Sequence, residues 1–399
     1  LDQPNVPGDQ RGANDQEEFD RQEAKIVAAL AAIDADVFGL IEIENSDDAL
    51  PLDTLVAALN DVVGAGTYAA IHTGRLGTDA ITTALIYKPA EVAPVGPFAV
   101  LDSTIDPDFA SNNRPALAQT FTDLEVGGEV TVVVNHLKSK GSDCDALGDP
   151  DTGDGQGNCN LTRVAAAEAL AEWLEGDPTH QGTIGRELII GDLNSYDHED
   201  PIDALRDAGY TDLELREHGE HAYSYNFDGE LGYLDYALAG TDLAADVTGA
   251  GAWTINSDES ALYDYNREFK SASQFGLWAP DPYRSSDHDP VVVGLDLTPP
   301  DTTAPTLELT ADPAFVFPTN GKLRTVTIDV DVADESGTVA VQFLGATALG
   351  SPKASVQKVS ANEFRVVAAK GAVYTFTYEA RDGAGNTTTK STVVIVGKG

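Results

Sequence analysis

Several apolar runs in this chain end in side chains that can bind a cation or move a proton. Leu188-Ile189-Ile190 leads into Gly191-Asp192-Leu193-Asn194-Ser195, and Val37-Phe38-Gly39-Leu40-Ile41 into Glu42-Ile43-Glu44-Asn45. Val130 to Val134 ends in Asn135-His136-Leu137-Lys138-Ser139-Lys140, while Ser286-Asp287-His288-Asp289-Pro290 opens the run Val291 to Leu297. A fifth segment, Tyr233-Leu234-Asp235-Tyr236, places Asp235 in an alternating run. Residues two apart on a strand point the same way, so Asp192 and Asn194 would set a carboxylate beside a carboxamide. Carboxylates closing an apolar strand cost desolvation unless they bind something. Taken singly, each also reads as a turn former or a solvated strand end. Oxygen donors with two imidazoles and no cysteine suit Mg²⁺, Mn²⁺ or Ca²⁺ better than Zn²⁺. A Ser-His-Asp hydrolase is the competing use of His288, but the chain has no Gly-x-Ser-x-Gly elbow.

The elements that would position these groups alternate between helix and strand. Phe19, Ile26, Leu30 and Ile33 give a helix over Glu17–Ile33, and further helices are expected over 51–62, 161–174 and 201–208. Residues 68–72 and 80–87 read as paired strands. Residues 223–227 and 233–238 read as a hairpin around Asp228-Gly229. A polar stretch then runs to Arg284. This pattern predicts an α/β sandwich with a site along one edge of paired sheets. Leu297 to Pro305 is a Pro/Thr linker, placing a first domain at 1–298, the linker at 299–305 and a second domain at 306–399. The second has regularly spaced β runs and is expected to be an immunoglobulin-like β-sandwich, its Asp and Asn residues serving turns.

The 399 residues carry 66 acidic against 24 basic side chains, a net charge of −42. Such a surface repels a polyanion at long range, and salt near molar strength shortens that repulsion to roughly 3 Å. A saline habitat is one reading; Ca²⁺ binding or a solvated acidic surface is the other. Cys144 and Cys159, the two cysteines, lie in one Gly/Asp-rich loop away from further metal ligands. They are expected to form a disulfide, which implies an oxidising, extracellular setting. No run of about 20 apolar residues is present to span a membrane. Beginning at Leu1 rather than Met, the chain is expected to be a processed or truncated product.

Taken in order, Asn135-His136-Leu137, Gly191-Asp192-Leu193-Asn194, Tyr233-Leu234-Asp235-Tyr236 and Ser286-Asp287-His288-Asp289-Pro290-Val291 resemble the endonuclease/exonuclease/phosphatase superfamily, the DNase-like fold. Phe19-Asp20-Arg21-Gln22, Gly39 to Asn45, Gly77-Thr78-Asp79-Ala80-Ile81 and the cysteine loop resemble its extracellular bacterial nuclease branch. The resemblance covers roughly residues 11–297 and implies a four-layer α/β sandwich. It further implies that Glu42 holds a divalent metal, Mg²⁺ first, with Asp287 near it and Glu44 as the alternative ligand. Asp192 would orient or deprotonate the attacking water, and Asn194 would hold a phosphate oxygen. His288, fixed by Asp235, would contact the scissile phosphate. His136 would be the second imidazole with Asp79 as its candidate partner, and Arg114 would grip a phosphate.

The expected activity is therefore that of a secreted, metal-dependent nuclease acting on DNA and perhaps RNA. It would be monomeric, with the C-terminal domain serving attachment to a cell surface or matrix. A phosphomonoesterase or phospholipid phosphodiesterase of the same fold is the first alternative, and Trp253 or Trp278 would be its lipid-facing aromatics. A non-catalytic extracellular binding protein on a degenerate scaffold is the second. The resembled family opens with a strand whose terminal Asn helps hold the metal. Here Leu1-Asp2-Gln3-Pro4 matches the loop after it, and Asn5 and Asn14 lie in loop sequence. The expectation is a lost first strand, or another segment in its place.

Overall fold

The computed structural model describes residues 12–47, 50–109, 113–268, 270–335 and 337–397, so Asn5 and the segment 1–4 lie outside the described residues. The chain divides into two compact units, Leu1–Thr298 and Pro299–Gly399. In the first, the helices are α1 (Gln16–Ile33), α2 (Leu50–Val63), α3 (Asn160–Glu175), α4 (Asp200–Asp207) and α5 (Leu213–His218). Its strands are β1 (Val37–Glu44), β2 (Ala69–Ala70), β3 (Ile81–Tyr87), β4 (Val92–Leu101), β5 (Ala116–Asp123), β6 (Glu129–His136) and β7 (Glu187–Asp192). They continue with β8 (Thr211–Asp212), β9 (Tyr225–Phe227), β10 (Glu230–Gly232), β11 (Asp235–Ala239), β12 (Val247–Ala252) and β13 (Val291–Leu295).

A six-stranded sheet, in the order β4-β5-β6-β7-β11-β8, forms the centre. Its middle strands are apolar on both faces, as Val132, Val133 and Val134 of β6 show by being buried in succession. β6 and β7 run parallel, so the chain between them must cross over, and it does so through the cysteine loop and α3. α3 and α4 cover one face, joining Leu170, Leu174 and Ile202 to Val133, Ile189 and Leu238. On the other face lie two smaller sheets, β1-β3-β2 and β12-β13. Outside β1 and β3 pack α1 and α2, burying Phe19, Leu30, Leu55 and Leu59. The order helix, sheet, sheet, helix follows from these four faces.

α1 begins where Asp15 caps the Glu18 amide at 3.0 Å, and it ends at Asp34, whose left-handed φ of 55° lets its N–H reach Leu30. Lys25 of α1 is buried with its ammonium on Asp281 at 2.9 Å and the Tyr283 carbonyl at 2.7 Å. A buried cation needs such partners, and here they fasten the segment leading to Asp287 and His288.

Two local expectations are corrected. Residues 223–227 and 233–238 do not pair with each other: β9 pairs with the short β10, and β11 instead joins the large sheet between β7 and β8. Asp228-Gly229 does make the turn, but of the smaller hairpin. The polar stretch before Arg284 also contains β12, whose Val-Thr-Gly-Ala-Gly-Ala sequence lacks the apolar alternation that marks a strand.

The second unit holds two four-stranded sheets, built from β14 (Thr306–Asp312), β15 (Phe315–Val316), β16 (Leu323–Ala333) and β17 (Ala340–Leu349), then β18 (Val356–Lys358), β19 (Glu363–Val367), β20 (Val373–Arg381) and β21 (Thr387–Val396). Their orders are β14-β16-β19-β18 and β15-β21-β20-β17. Phe364, Phe376, Tyr374 and Tyr378 fill the core. Asp382 serves a turn, accepting the Gly385 and Asn386 amides, and its carboxylate also lies close to those of Asp301 and Asp334.

Candidate active site

Three strand ends meet at one edge of the central sheet. Asp192, the last residue of β7, is in register with His136, the last of β6, and with Asp235, the first of β11. Cross-strand neighbours at one level share a face, so these groups must converge once register is set. Gly191 makes the close approach possible: its φ is 118°, and an added Cβ would lie 2.0 Å from the Asn135 carbonyl oxygen.

Asp192 is buried and accepts two hydrogen bonds from Asn194, from its amide at 2.7 Å and from its carboxamide at 2.9 Å. The same carboxamide donates to the Leu137 carbonyl at 3.1 Å, which fixes its flip. His136 Nε2 stands 3.5 Å from Asp192 Oδ2 and 4.0 Å from Glu42 Oε1. Glu42 reaches that position from a bulge in β1, where pairing with β3 slips between Leu40 and Ile43 and Glu42 takes a φ of 58°. A bulge of this kind re-aims a side chain at the cost of local strain.

His288 Nδ1 is 2.8 Å from Asp235 Oδ2, and its ring is stacked on Tyr225 with centroids 4.4 Å apart. Burial by itself would lower the imidazole pKa. The adjacent Asp235, with Asp192 and Asp287 beyond, outweighs it and raises the value to about 10. Asp192 is pushed well above the ordinary carboxylate range, first by burial and then by the charge of Asp235, with His288 pulling the other way. At neutral pH, His288 is therefore a cation held by Asp235.

Arg114 donates to Asp79 at 3.0 Å and to the Leu137 carbonyl at 3.1 Å, the carbonyl that also anchors Asn194. Asp79 thus orients Arg114. Asp287 is exposed and borders the same cleft as Glu42 and Glu44. Among the described residues, Glu42, Glu44 and Asp287 do not form a tight three-carboxylate cage; Asp301, Asp334 and Asp382 of the second unit do. Two oxygen donors facing a cleft whose innermost carboxylate already resists ionisation nonetheless fit one hard cation that keeps open positions.

The sequence reading passed over the groups that support these. Ser224 is buried and donates to Asp235 at 2.7 Å. Asn256 donates to the His288 carbonyl at 2.7 Å, and Asp289 accepts the amides of Ile255, Asn256 and Ser257. Asp289 was visible as part of the Asp287–Pro290 run, but its partners lie more than 30 residues away in irregular chain. Arg163 of α3, wholly buried, donates to Ser195 Oγ and to the carbonyls of Lys138, Asn158 and Gln156. It ties the turn after Asp192 to the loop after His136. That loop is closed by the Cys144–Cys159 disulfide, as expected. Lys140 binds Glu199 and lies over the Tyr196 ring at 5.0 Å. Trp253 and Trp278 are half-buried, and Arg21 lies over the Trp278 ring at 5.0 Å. The exposed apolar side chains flanking the β9–β10 turn are instead Phe227 and Leu231.

No protein-family profile and no characterised protein matches this chain by sequence. Its structural neighbours are proteins of the endonuclease/exonuclease/phosphatase (DNase-like) superfamily, bacterial ones prominent among them. A mannosyl-6-phosphatase from Bacteroides thetaiotaomicron is 19% identical at a TM-score of 0.49, over 72% of this chain and 96% of that one. An endonuclease/exonuclease/phosphatase family protein from the same organism is 18% identical at 0.48, over 71% and 93%. D. rerio TDP2, complexed with a single-strand DNA product, is 15% identical at 0.43, over 70% and 92%.

Proposed function

We propose that this protein is a phosphoesterase of the endonuclease/exonuclease/phosphatase superfamily, a four-layer DNase-like domain followed by an immunoglobulin-like one, and that it is a secreted nuclease hydrolysing phosphodiester bonds of DNA. The reading rests above all on one arrangement: Asp192 and its Asn194 partner lie between His136 on one side and the Asp235–His288 pair on the other.

In-line attack at phosphorus builds negative charge on the non-bridging oxygens. Asp192 takes a proton from water as its oxygen forms the new P–O bond and the bond to the leaving alkoxide breaks, which then gains a proton from solvent. His288, cationic and steadied by Asp235, donates to a phosphate oxygen, and Asn194 and Arg114 hold others. His136, beside Glu42 and Asp192, is the second imidazole facing the phosphate. Glu42 and Asp287, with Glu44 as alternative, would hold a divalent cation, Mg²⁺ first, which when bound supplies Lewis acidity to the phosphoryl group.

The test is hydrolysis of supercoiled plasmid and of a generic phosphomonoester, with and without Mg²⁺, Mn²⁺ or Ca²⁺. Plasmid nicking that a chelator abolishes, and that falls by roughly 10²–10⁴ in Asp192→Ala and His288→Ala, is expected. Phosphomonoester turnover alone would point to a phosphatase, and inactivity on both under every metal to a binding scaffold.

A further inference from the structure

The two small sheets on the outer face of the central sheet do not meet. β1 pairs with β3 on one side, β13 pairs with β12 on one side, and among the described residues no strand lies between β1 and β13. A groove of about 960 Å³ runs there, bordered by every residue of both strands. Its floor is apolar, made of Val132, Leu188 and Ile190 of the central sheet, and Ile26 and Leu30 of α1 overhang it. Strand edges carry unpaired N–H and C=O groups, which are costly in an apolar channel and template a further strand. The layer also holds three plus two strands in this region, against six in the sheet it covers.

We propose that this groove receives an extended, apolar segment of the same polypeptide, arriving beside Gly12 and bonding to β1 and β13 at once. Both small sheets then become one continuous sheet. Gly12 itself borders the groove, so chain on its N-terminal side arrives at the groove. Residues 1–11, with Pro4, Pro7 and few apolar side chains, suit a connection into the groove better than a buried strand within it. A tether that short gives the segment a local concentration in the millimolar range, far above that of a free peptide. At about 3.3 Å per residue, a strand of roughly eight residues runs the length of β1.

The proposal is tested on the full chain carrying a roughly seven-residue Val/Ile/Thr strand ahead of Leu1. It is compared with the 399-residue chain and with the same extension interrupted by proline. Hydrogen exchange is read over residues 37–44 and 291–295. Exchange about tenfold slower in both segments, only with the uninterrupted strand, is expected. The 399-residue chain is expected to bind an apolar dye that the strand displaces. Equal exchange in all three proteins overturns the proposal. So does protection that grows with protein concentration alongside a dimer in light scattering, which would assign the groove to a second copy. Should the extended chain misfold, the same sequence added as a synthetic peptide to the folded 399-residue chain must protect both segments; protection of neither overturns it.

Discussion

At the scale of single residues, the charge state of His288 is set by its neighbours rather than by its type. Its raised pKa means the cation persists as pH rises and is lost only near 10, so the alkaline limb of kcat/KM is expected there. In Asp235→Asn the limb moves down toward the ordinary imidazole value, while the remaining Asp192 and Asp287 keep it from returning fully. A limb that stays in place in a pH–rate profile would remove Asp235 from this role. Glu214 offers a test of stability away from the reacting groups. Burial, opposed by His218 and reinforced by Asp212, lifts its carboxyl to about 7. The folded state therefore holds this proton more tightly than the unfolded chain, and stability falls as pH rises through the window from about 4.5 to about 7. Glu214→Gln is expected to flatten that loss, gaining roughly 2 kcal/mol at pH 8 and little at pH 5 in urea titrations.

At the scale of elements, most of the candidate site was legible because strand ends announce themselves: an apolar run stops at a group that can ionise. Register then does what spacing in sequence cannot, bringing His136, Asp192 and Asp235 to one level. The hairpin assignment failed because β9 and β11 are equally alternating, and only the sheet decides which partner each takes. β12 was missed because glycine and alanine give no apolar period. Ser224, Asn256 and Arg163 were missed for another reason: their value lies in partners far along the chain, which no local pattern encodes. Arg163 binds three backbone carbonyls and Ser195 from within α3. Arg163→Met strands those carbonyls, and a loss of about 3 kcal/mol or more is expected in thermal unfolding. Activity should fall with it, since the turn after Asp192 and the loop after His136 lose their common anchor.

At the scale of the whole molecule, the division at Thr298 separates all the chemistry named above from the second unit. Cleavage in the 299–305 linker is accordingly expected to leave a 1–298 fragment with hydrolytic rates within about twofold of the intact chain, measured on plasmid. A large loss would give the second unit a part in the reaction. The charge of −42 sets the other molecular property, repelling a polyanion until salt screens it. Plasmid hydrolysis is thus expected to persist toward molar salt rather than to decay steeply from low salt. The open borders of β1 and β13 give that same screening a second effect. Mutual repulsion keeps copies of so acidic a protein apart in dilute buffer, and brine relaxes it. Uncapped borders then become adhesive, so the conditions that let substrate approach are also those in which unfilled molecules clump, at a rate that climbs with ionic strength.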